Sequence, residues 1–286
     1  MRLTIFFLSI AGAVCAQSGI RVVFMADDMG AAQGIDAGTI RAYREGVVRA
    51  TNVIVPGPWL LHAIRELKEN PGLDVGVHLA LTSEWEFVKW RPLTHSPALA
   101  DENGYFFPMN GRNPNFPTGS SLFEAKPKIE DIERELRAQI EVARRLLPRM
   151  AFLTAHMGAA GSGPERRKVL DKLSAEYRMP VVPGDWAKPL GRVYRQTDTG
   201  EEKAAALAER LAAIGPGAWF MIDHAAIDNE ETRAIGHLGY RGVAADRSAN
   251  VAAWTSPVVK DVIRRRKIDL ITWSDLFREK NPAKSQ

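Results

Sequence analysis

Short apolar runs alternate along the chain with longer segments in which apolar residues recur every three or four positions. The runs are rich in β-branched and aromatic residues and are bounded by polar residues, Gly or Pro, a pattern typical of buried strands. Seven runs have this pattern, at 21–25, 50–55, 74–79, 151–155, 179–182, 218–222 and 269–272. Most precede a helical segment. This alternation predicts an α/β fold with a parallel sheet, either closed as a distorted barrel or open and doubly wound.

The helical segments leave two stretches without a regular pattern. Helical spacing covers residues 34–45, 58–69, 129–147, 163–177, 201–214 and 245–265, with an interruption expected near Pro257 and a short helix after the last strand. Residues 80–127 and 185–200 are irregular, and irregular stretches as long as 80–127 in a compact domain usually serve a function. Because neither repeats nor a break in composition divide the chain, we expect residues 17–286 to form a single domain.

The first sixteen residues have the pattern of a secretory signal peptide. A basic residue at position 2 precedes an uncharged apolar run at 3–14, and small residues stand before Gln17. A membrane anchor needs a longer apolar run. A lipoprotein anchor on Cys15 is also disfavoured, because Val14 is a poor fit at the position just before a lipid-modified cysteine. We therefore expect cleavage after Ala16 and a periplasmic or secreted protein. Cys15 is the only cysteine, so the mature chain would have no disulfide, no Cys–His catalysis and no zinc–thiolate site.

Charge and composition exclude several classes of partner. The chain has 38 Lys and Arg against 34 Asp and Glu, a net charge of +4 that is spread along the sequence. This balance does not indicate nucleic-acid binding, and we interpret the densest basic run, at 264–267, as a solvated helix end. With 45% hydrophobic residues and no later run that is long and apolar enough for a transmembrane helix, we expect a globular protein without stable membrane insertion.

Side chains that bind metals or protons follow four of the predicted strands. They are Asp27, Asp28, His78, His156, Asp223 and His224. In parallel α/β folds the carboxyl ends of the strands meet at one edge, where the chemistry collects. A single histidine at a strand end is more often a hydrogen-bonded structural residue, and the aspartate pair could instead cap the following helix. Three such histidines together with the pair favour a metal site. His62 and His95 fall outside the pattern, and His237 is ambiguous.

Two adjacent carboxylates and two histidines suit hydrolytic metal chemistry. The charges of Asp27 and Asp28 repel each other, which raises one pKa unless a cation lies near. A divalent ion on Asp28 would relieve this repulsion and leave Asp27 as the base for a metal-bound water. Two histidines and one carboxylate leave positions open for water and substrate. We expect one divalent ion, magnesium or zinc; cobalt, nickel and manganese also suit this donor set.

Three ordered motifs resemble those of the YdjC-like carbohydrate deacetylases, which include the chitooligosaccharide deacetylases. They lie at 26–30 (ADDMG), 76–82 (GVHLALT) and 154–158 (TAHMG), and the segments 223–224, 245–247 and 268–273 are also similar. The resemblance implies an irregular (β/α) barrel with an incomplete ring of about seven parallel strands. It also implies roles for individual residues. The metal ligands would be Asp28, His78 and His156, the catalytic base Asp27, and the acid or substrate-contacting group His224.

The sequence departs from the family's usual motifs at several positions. Met25 and Met29 replace Asn and Phe around the aspartate pair, and Ala80 stands in place of Asn. Gly158 replaces a second His, and residues 225 and 226 are alanines where Pro and Gly are usual. The predicted ligand set is intact, so we expect metal binding. The altered positions would line the pocket, and they leave the substrate open.

The resemblance implies a metal-dependent hydrolase that removes acetyl groups from N-acetylated sugars or oligosaccharides. Trp85 and Trp90, close in sequence to His78, would then stack on a sugar ring, and Arg247 is a further candidate for substrate binding. A non-catalytic carbohydrate-binding barrel is one alternative, and a metal-dependent hydrolase of glycosides or phosphoesters is another. The expected partner is an acetylated carbohydrate, and assembly as a homodimer stays open.

Overall fold

Seven parallel strands form one sheet in the computed structural model, which describes residues 19–280. They are β1 Ile20–Met29, β2 Ala50–Val53, β3 Asp74–Leu79, β4 Phe152–Ala155, β5 Lys188–Pro189, β6 Gly217–His224 and β7 Asp269–Leu270. The order across the sheet is β4-β3-β2-β1-β6-β5, and β7 pairs with β1. β6 pairs with β1 along nearly its whole length, so β7 and β2 share the other edge of β1. The predicted signal peptide lies outside the described residues.

The position of the fifth strand is the one strand prediction that is wrong. The run at 179–182 makes only an isolated parallel bridge, between Val181 and Leu153 of β4. Pro180 and Pro183 lack the backbone N–H groups that a longer ladder needs. β5 lies instead at Lys188–Pro189, inside the stretch predicted as an irregular loop, and pairs with β6.

The link between these two segments curls the sheet. Residues 180–182 hydrogen-bond to the outer edge of β4, and β5 lies at the opposite edge of the sheet. Seven strand positions laid flat would span about 29 Å. Residue 182 is joined to residue 188 by a segment that reaches at most about 22 Å. The two edges must therefore approach each other, and the predicted irregular barrel is confirmed.

The longer helices begin and end close to the predicted segments, whereas two short helices, at 122–125 and 230–234, were not predicted. The helices are α1 Gln33–Arg44, α2 Leu60–Glu69, α3 Leu122–Ala125, α4 Ile129–Leu146, α5 Pro164–Tyr177, α6 Gly200–Ala213, α7 Glu230–Ala234, α8 Val243–Thr255, α9 Pro257–Arg266 and α10 Trp273–Lys280. The predicted interruption near Pro257 is confirmed, because the Ser256 hydroxyl accepts a hydrogen bond from the N–H of Val258 (3.2 Å) and starts a new helix. None of the described helices is long and apolar enough to cross a membrane.

Alternate residues of β1 face two apolar layers. Val22 and Phe24 belong to the large core that the helices cover, whereas Val23 and Met25 belong to a smaller cluster with Trp273 of α10. Trp273 is buried and donates its indole N–H to Met25 Sδ (3.3 Å). Since β7 pairs with the start of β1, this tryptophan closes the amino-terminal end of the barrel. The carboxyl ends of the strands lie at the other end, where parallel barrels carry their sites.

Candidate metal centre

The backbone turns sharply at Asp28, near the end of β1. Its φ of 76° lies in the left-handed region, which aspartate tolerates better than most residues. The register between β1 and β2 shifts at this point, so the regular alternation of side chains is lost. The N–H of Asp28 donates to Asn52 Oδ1 (3.0 Å). As a result, the carboxylates of both Asp27 and Asp28 lie within 4 Å of His78 on β3.

The three predicted ligands converge at the ends of β1, β3 and β4. Asp28 Oδ1 lies 3.3 Å from His78 Nε2 and 3.3 Å from His156 Nδ1, and the two ring nitrogens are 3.3 Å apart. The centre of this triangle is about 1.9 Å from each atom, close to the roughly 2.0–2.1 Å of zinc–nitrogen bonds. Asp28 Oδ1 is buried without a hydrogen-bond partner, which is rare for a polar atom. These three residues therefore fit one metal ion.

Each histidine is oriented through the ring nitrogen that faces away from the triangle. His78 Nδ1 lies 2.7 Å from Thr154 Oγ1, and His156 Nε2 lies 2.8 Å from Glu84 Oε2. If the other nitrogen binds a metal, these two carry the protons and donate. Such partners fix the tautomer of an imidazole ligand and make it more basic.

Two residues of the centre were not predicted from the sequence. Asn52 lies in the middle of β2 and is buried; its Oδ1 accepts from Asp28, and its Nδ2 donates to Asp27 Oδ1 (2.9 Å) and to Thr154 Oγ1 (2.8 Å). Glu84 lies in the irregular loop after β3 and is also buried. The signals in the sequence are weak: a polar residue inside an apolar strand for the first, and closeness to the His78 motif for the second.

The environments of the two aspartates push their pKa values apart. Burial would raise the pKa of Asp28, but His224, Arg247 and the two ligand histidines lower it well below its ordinary value. Burial raises the pKa of Asp27, and the positive groups near it only partly offset this. A pair of carboxyl groups shifted in opposite directions is typical of different roles in acid–base chemistry. The geometry suits Asp28 as an anionic ligand and Asp27 as a proton acceptor.

The pair of His156 and Glu84 is also strongly perturbed. Burial alone would lower the pKa of His156, but the carboxylates of Glu84 and Asp28 outweigh it and raise this pKa to about 10. Burial would raise the pKa of Glu84, but the charge and the hydrogen bond of His156 bring it below its ordinary value. Without a metal, the imidazole between these two carboxylates therefore holds a proton.

The comparison with known families places the chain. The model of the YdjC-like protein family matches residues 21–265, most of the chain. The chain belongs to the YdjC-like family. It is similar to a carbohydrate deacetylase of Thermus thermophilus, 31% identical over 215 residues, which are 68% of this chain and 74% of the relative. A carbohydrate deacetylase 1 of Listeria innocua is 37% identical over 122 residues, which are 43% of this chain and 45% of that protein.

Solved structures share the fold of this YdjC-like protein. The crystal structure of a proposed cellobiose-phosphate cleavage protein of Enterococcus faecalis aligns with a TM-score of 0.71 at 23% identity, covering 90% of this chain and 98% of that one. A peptidoglycan N-acetylglucosamine deacetylase aligns with a TM-score of 0.50 at 11% identity, covering 90% and 88%. At these identities the likeness shows the fold alone, a parallel-stranded barrel with surrounding helices.

The outer oxygen of Asp28 is Oδ2, which is not part of the triangle; it lies close to Arg247 and His224. Asp28 Oδ2 lies 3.0 Å from Arg247 Nη1 and 3.5 Å from His224 Nε2, and His224 Nδ1 lies 3.4 Å from Asp223 Oδ1. Desolvation and the Arg247 guanidinium lower the pKa of His224, but the carboxylates of Asp28, Asp223 and Asp27 outweigh them and raise it. The His224 side chain is 38% exposed, whereas Arg247 is 3% exposed. Solvent therefore reaches the centre beside His224.

The two tryptophans predicted to stack on a sugar are both buried. Trp85 is 3% exposed, and its ring lies between the Arg247 guanidinium (5.3 Å from the centroid) and the His237 ring (5.9 Å, interplanar angle 23°). Trp90 is 2% exposed and packs its ring edge-on to His156. Little of either ring is exposed, so stacking on a sugar would require a change in the packing around it. The ambiguous His237 lies in this aromatic layer and is not one of the three converging ligands.

The other two histidines lie away from the centre, as the sequence pattern predicts. His62 Nδ1 lies 2.7 Å from Asp36 Oδ2. The other oxygen of Asp36 accepts the N–H of Gly30 (2.7 Å), so this pair supports the turn that follows Asp28. His95 is exposed in the long loop.

Two cavities flank the centre. One, of about 640 Å³, is lined by His224, Asp223 and Arg247 together with Tyr194 and Arg192 of the loop at 185–200. The other, of about 570 Å³, is lined by parts of the long loop at 80–127, including Glu84 and Trp85. Both volumes are in the range of small-ligand sites. The first cavity adjoins the centre through His224 and Arg247, which line it and also lie close to Asp28.

Proposed function

We propose that this protein releases acetate from the N-acetyl group of a sugar or oligosaccharide, with one divalent ion at the centre. The observation that carries the proposal is the triangle of Asp28, His78 and His156, whose carboxylate corner, Asp28 Oδ1, is buried without a hydrogen-bond partner. Membership of the YdjC-like family and the carbohydrate deacetylases among its relatives support a deacetylase. They favour an enzyme over a non-catalytic barrel and over cleavage of glycosides or phosphoesters.

The donor set favours zinc over magnesium. Two of the three ligands are imidazoles, which suit zinc and neighbouring transition metals, whereas magnesium prefers oxygen ligands and keeps several waters. Catalytic zinc sites commonly use three protein ligands, including pairs of histidines with one carboxylate, and keep one position open. The separations of 3.3 Å between the ligand atoms suit bonds of about 2 Å to either ion, so the preference for zinc rests on the imidazoles. We therefore propose zinc as the resident ion and magnesium as the outcome that would correct this assignment.

Asp27 would act as the base. A divalent ion bound at the centre would polarise the amide carbonyl and lower the pKa of the attacking water. Asn52 fixes Asp27 Oδ1 by a hydrogen bond of 2.9 Å. Asp27 Oδ2 lies 3.9 Å from His78 Nε2, one of the three converging ligand atoms, and would accept the proton of the attacking water. The raised pKa of Asp27 brings its affinity for a proton closer to that of the water it deprotonates.

His224 would act as the acid for the departing amine. Its raised pKa favours the protonated imidazole in the metal-free site more than in an isolated histidine. It opens into the first cavity, and Asp223 holds the ring from the other side. Arg247 would hold the outer oxygen of Asp28, and it would contact a substrate bound in the same cavity. In the alternative, His224 only orients the carboxylates and transfers no proton. The two roles differ in whether the loss of turnover in a His224 variant depends on the leaving amine.

The location of the protein is a further proposal. The pattern at 1–16 supports export to the periplasm or beyond the cell with cleavage before Gln17. Sequencing the amino terminus of the protein from its native host tests it. An intact Met1 on protein from the cytoplasm would overturn it.

The oligomeric state is a separate question. Light scattering on the purified protein would show whether a homodimer forms.

Acetate release and metal content, measured on the same preparation, test the proposed function. The purified protein should contain about one zinc per chain and release acetate from N-acetylated mono- and oligosaccharides. Chelation should abolish activity, and added zinc should restore it. Asp28→Ala should lose both metal and activity, whereas Asn70→Ala, far from the centre, should lose neither. Acetate release that survives complete removal of metal would contradict the proposal.

A further inference from the structure

A buried lysine lies behind the metal centre on α6. The side chain of Lys203 has no exposed surface. It pairs with the carboxylate of Asp246, and it donates to the main-chain oxygen of Asp246 (3.1 Å) and to Asn250 Oδ1 (2.8 Å). An ammonium group has three N–H donors, and all three find acceptors on one helix, α8. These three hydrogen bonds fix the rotation of α8 about the helix axis relative to α6.

The two partners of Lys203 lead directly to the residues that flank the metal ligand. Asn250 Nδ2 donates to the main-chain oxygen of His224 (2.8 Å), at the end of β6. Asp246 immediately precedes Arg247, whose guanidinium reaches the outer oxygen of the aspartate ligand (3.0 Å). One ammonium group therefore supports the placement of both cations at the centre, although it touches neither of them.

The same carboxylate also fixes part of the aromatic layer. The second oxygen of Asp246 accepts a hydrogen bond from the hydroxyl of Tyr240. The Tyr240 ring lies 6.1 Å from that of Trp85, and the Trp85 ring packs 5.3 Å from the Arg247 guanidinium. The carboxylate that Lys203 binds therefore also fixes Tyr240, a neighbour of the ring that packs on Arg247.

Packing of α6 against α8 does not require this lysine. Both helices also bury apolar residues in the main core, among them Ala204, Leu207 and Val251. A buried ion pair adds little net stability, because removing two charges from water costs about as much as their attraction returns. A methionine would fill the same space without that cost. The directional bonds are what an apolar side chain would not supply.

We infer that Lys203 is a positioning residue for deacetylation, acting through Asn250 and Asp246 to hold His224 and Arg247 against the aspartate ligand. This inference rests on the function proposed above. Lys203 contacts none of the three ligands and does not itself line the first cavity, although its neighbours Asp246 and Tyr194 do. Its effect should therefore be on turnover and not on metal binding.

Asn250→Asp tests the link to His224 with the smallest change. Aspartate keeps an oxygen that accepts from Lys203, but it has no N–H to donate to the oxygen of His224. We expect kcat to fall about 10- to 100-fold, the usual effect of a displacement of about 1 Å at a reacting group. KM should stay within about threefold, because ground-state binding is unaffected. Zinc affinity should stay close to that of the wild type, whereas the unpaired main-chain oxygen of His224 should lower the melting temperature.

Asn70→Asp is a matched control in the same chain. Asn70 is also buried, accepts from a cation, Arg44 Nε (2.8 Å), and donates to a main-chain oxygen, that of Glu66 (2.7 Å). It lies at the end of α2, near the amino-terminal end of β3 and away from the centre. We expect this control to keep its full kcat. Equal losses of kcat in the two variants would overturn the inference and point to a general cost of the substitution.

A spectroscopic signature separates this inference from the proposed activity. The imidazole nitrogen resonances of His224 in the zinc-loaded protein, assigned by their loss in His224→Gln, should shift in Asn250→Asp and stay unchanged in Asn70→Asp. If the wild type releases no acetate, the proposed function fails while this shift still tests the placement. If acetate is released and neither kcat nor the His224 signal changes in Asn250→Asp, the positioning role is wrong.

A second variant covers the case in which Asn250→Asp does not fold. Lys203→Met combined with Asp246→Asn removes both charges together, keeps an acceptor for Tyr240 and leaves no unpaired buried ion. It should also lower kcat, with zinc affinity retained. Full activity in this double variant would overturn the inference.

Discussion

Removing the negative charge of Glu84 should change how many protons leave when a metal binds. His156 must be neutral to bind a metal, yet Glu84 and Asp28 raise its pKa to about 10 in the metal-free centre. Metal binding near neutral pH therefore displaces a proton from His156. In Glu84→Gln the hydrogen bond to His156 Nε2 can remain, but the charge that favours the imidazolium is gone. The pKa of His156 should fall, and with it the release of this proton.

The size of the effect follows from the distance between pH and pKa. At pH 8 a group with a pKa of about 10 is about 99% protonated, so His156 should release about one proton. Displacing it lowers the apparent affinity about 100-fold, or about 2.7 kcal/mol, relative to the fully deprotonated site. The apparent metal affinity rises with pH because the proton on His156 competes with the metal below about pH 10. Apparent affinity should rise about tenfold per pH unit from pH 7 to 9 and level off above the pKa.

Calorimetry in two buffers with different ionisation enthalpies measures the protons released. Protons lost elsewhere should be equal in number in the two proteins, so the difference between wild type and Glu84→Gln isolates His156. We expect the variant to release clearly fewer protons at pH 8. Glu86→Gln, two residues away and paired with Arg241 (2.7 Å), is the matched control and should behave as the wild type. Equal release from Glu84→Gln and the wild type would refute this reasoning.

Three further substitutions test separate parts of the molecule. Asp27→Asn should keep the metal and lower turnover about 10²- to 10⁴-fold, the usual worth of a general base; loss of the metal instead would show that the roles of Asp27 and Asp28 are reversed. His224→Ala should lower turnover most for amines that leave poorly, whereas losses independent of the leaving group would mean that His224 only orients Asp28. Trp273→Ala should reduce the free energy of unfolding by about 3–5 kcal/mol, measured by urea denaturation. Its zinc affinity should not change, since the ligands lie at the opposite end of the barrel.

The fold was largely predictable because its elements are set by local periodicity. The apolar runs gave β1, β3 and β6, and helical spacing gave the long helices, down to the break at Pro257. β5 was not predictable in this way. Its two residues are exposed, and they pair with β6 because a short connection brings them to that edge. Such a pairing depends on tertiary geometry, which periodicity does not encode.

The converging ligands were predictable for a different reason. In a parallel sheet the carboxyl ends of neighbouring strands meet, so polar residues at those ends are brought together whatever the loops do. Asp28, His78 and His156 follow this rule. Glu84 does not, because it reaches His156 from a loop whose path depends on its own packing. Lys203 lies in an Ala-rich amphipathic helix, where a lysine is usually solvent-exposed, and its sequence context gives no sign of burial.

The charges around the centre explain why metal and proton compete for it. Asp27, Asp28, Glu84 and Asp223 contribute four carboxylates around the centre, and Arg247 and a protonated His224 supply two positive charges. A net charge of minus two in low dielectric is costly, and one divalent ion balances it. Without the ion, only protons can reduce the imbalance, and the raised pKa of His156 is that response. A variant that removes one carboxylate should therefore lower both the pKa of His156 and the intrinsic affinity of the centre for the metal. For Glu84→Gln, the number of protons released on metal binding reports the first effect separately from the second.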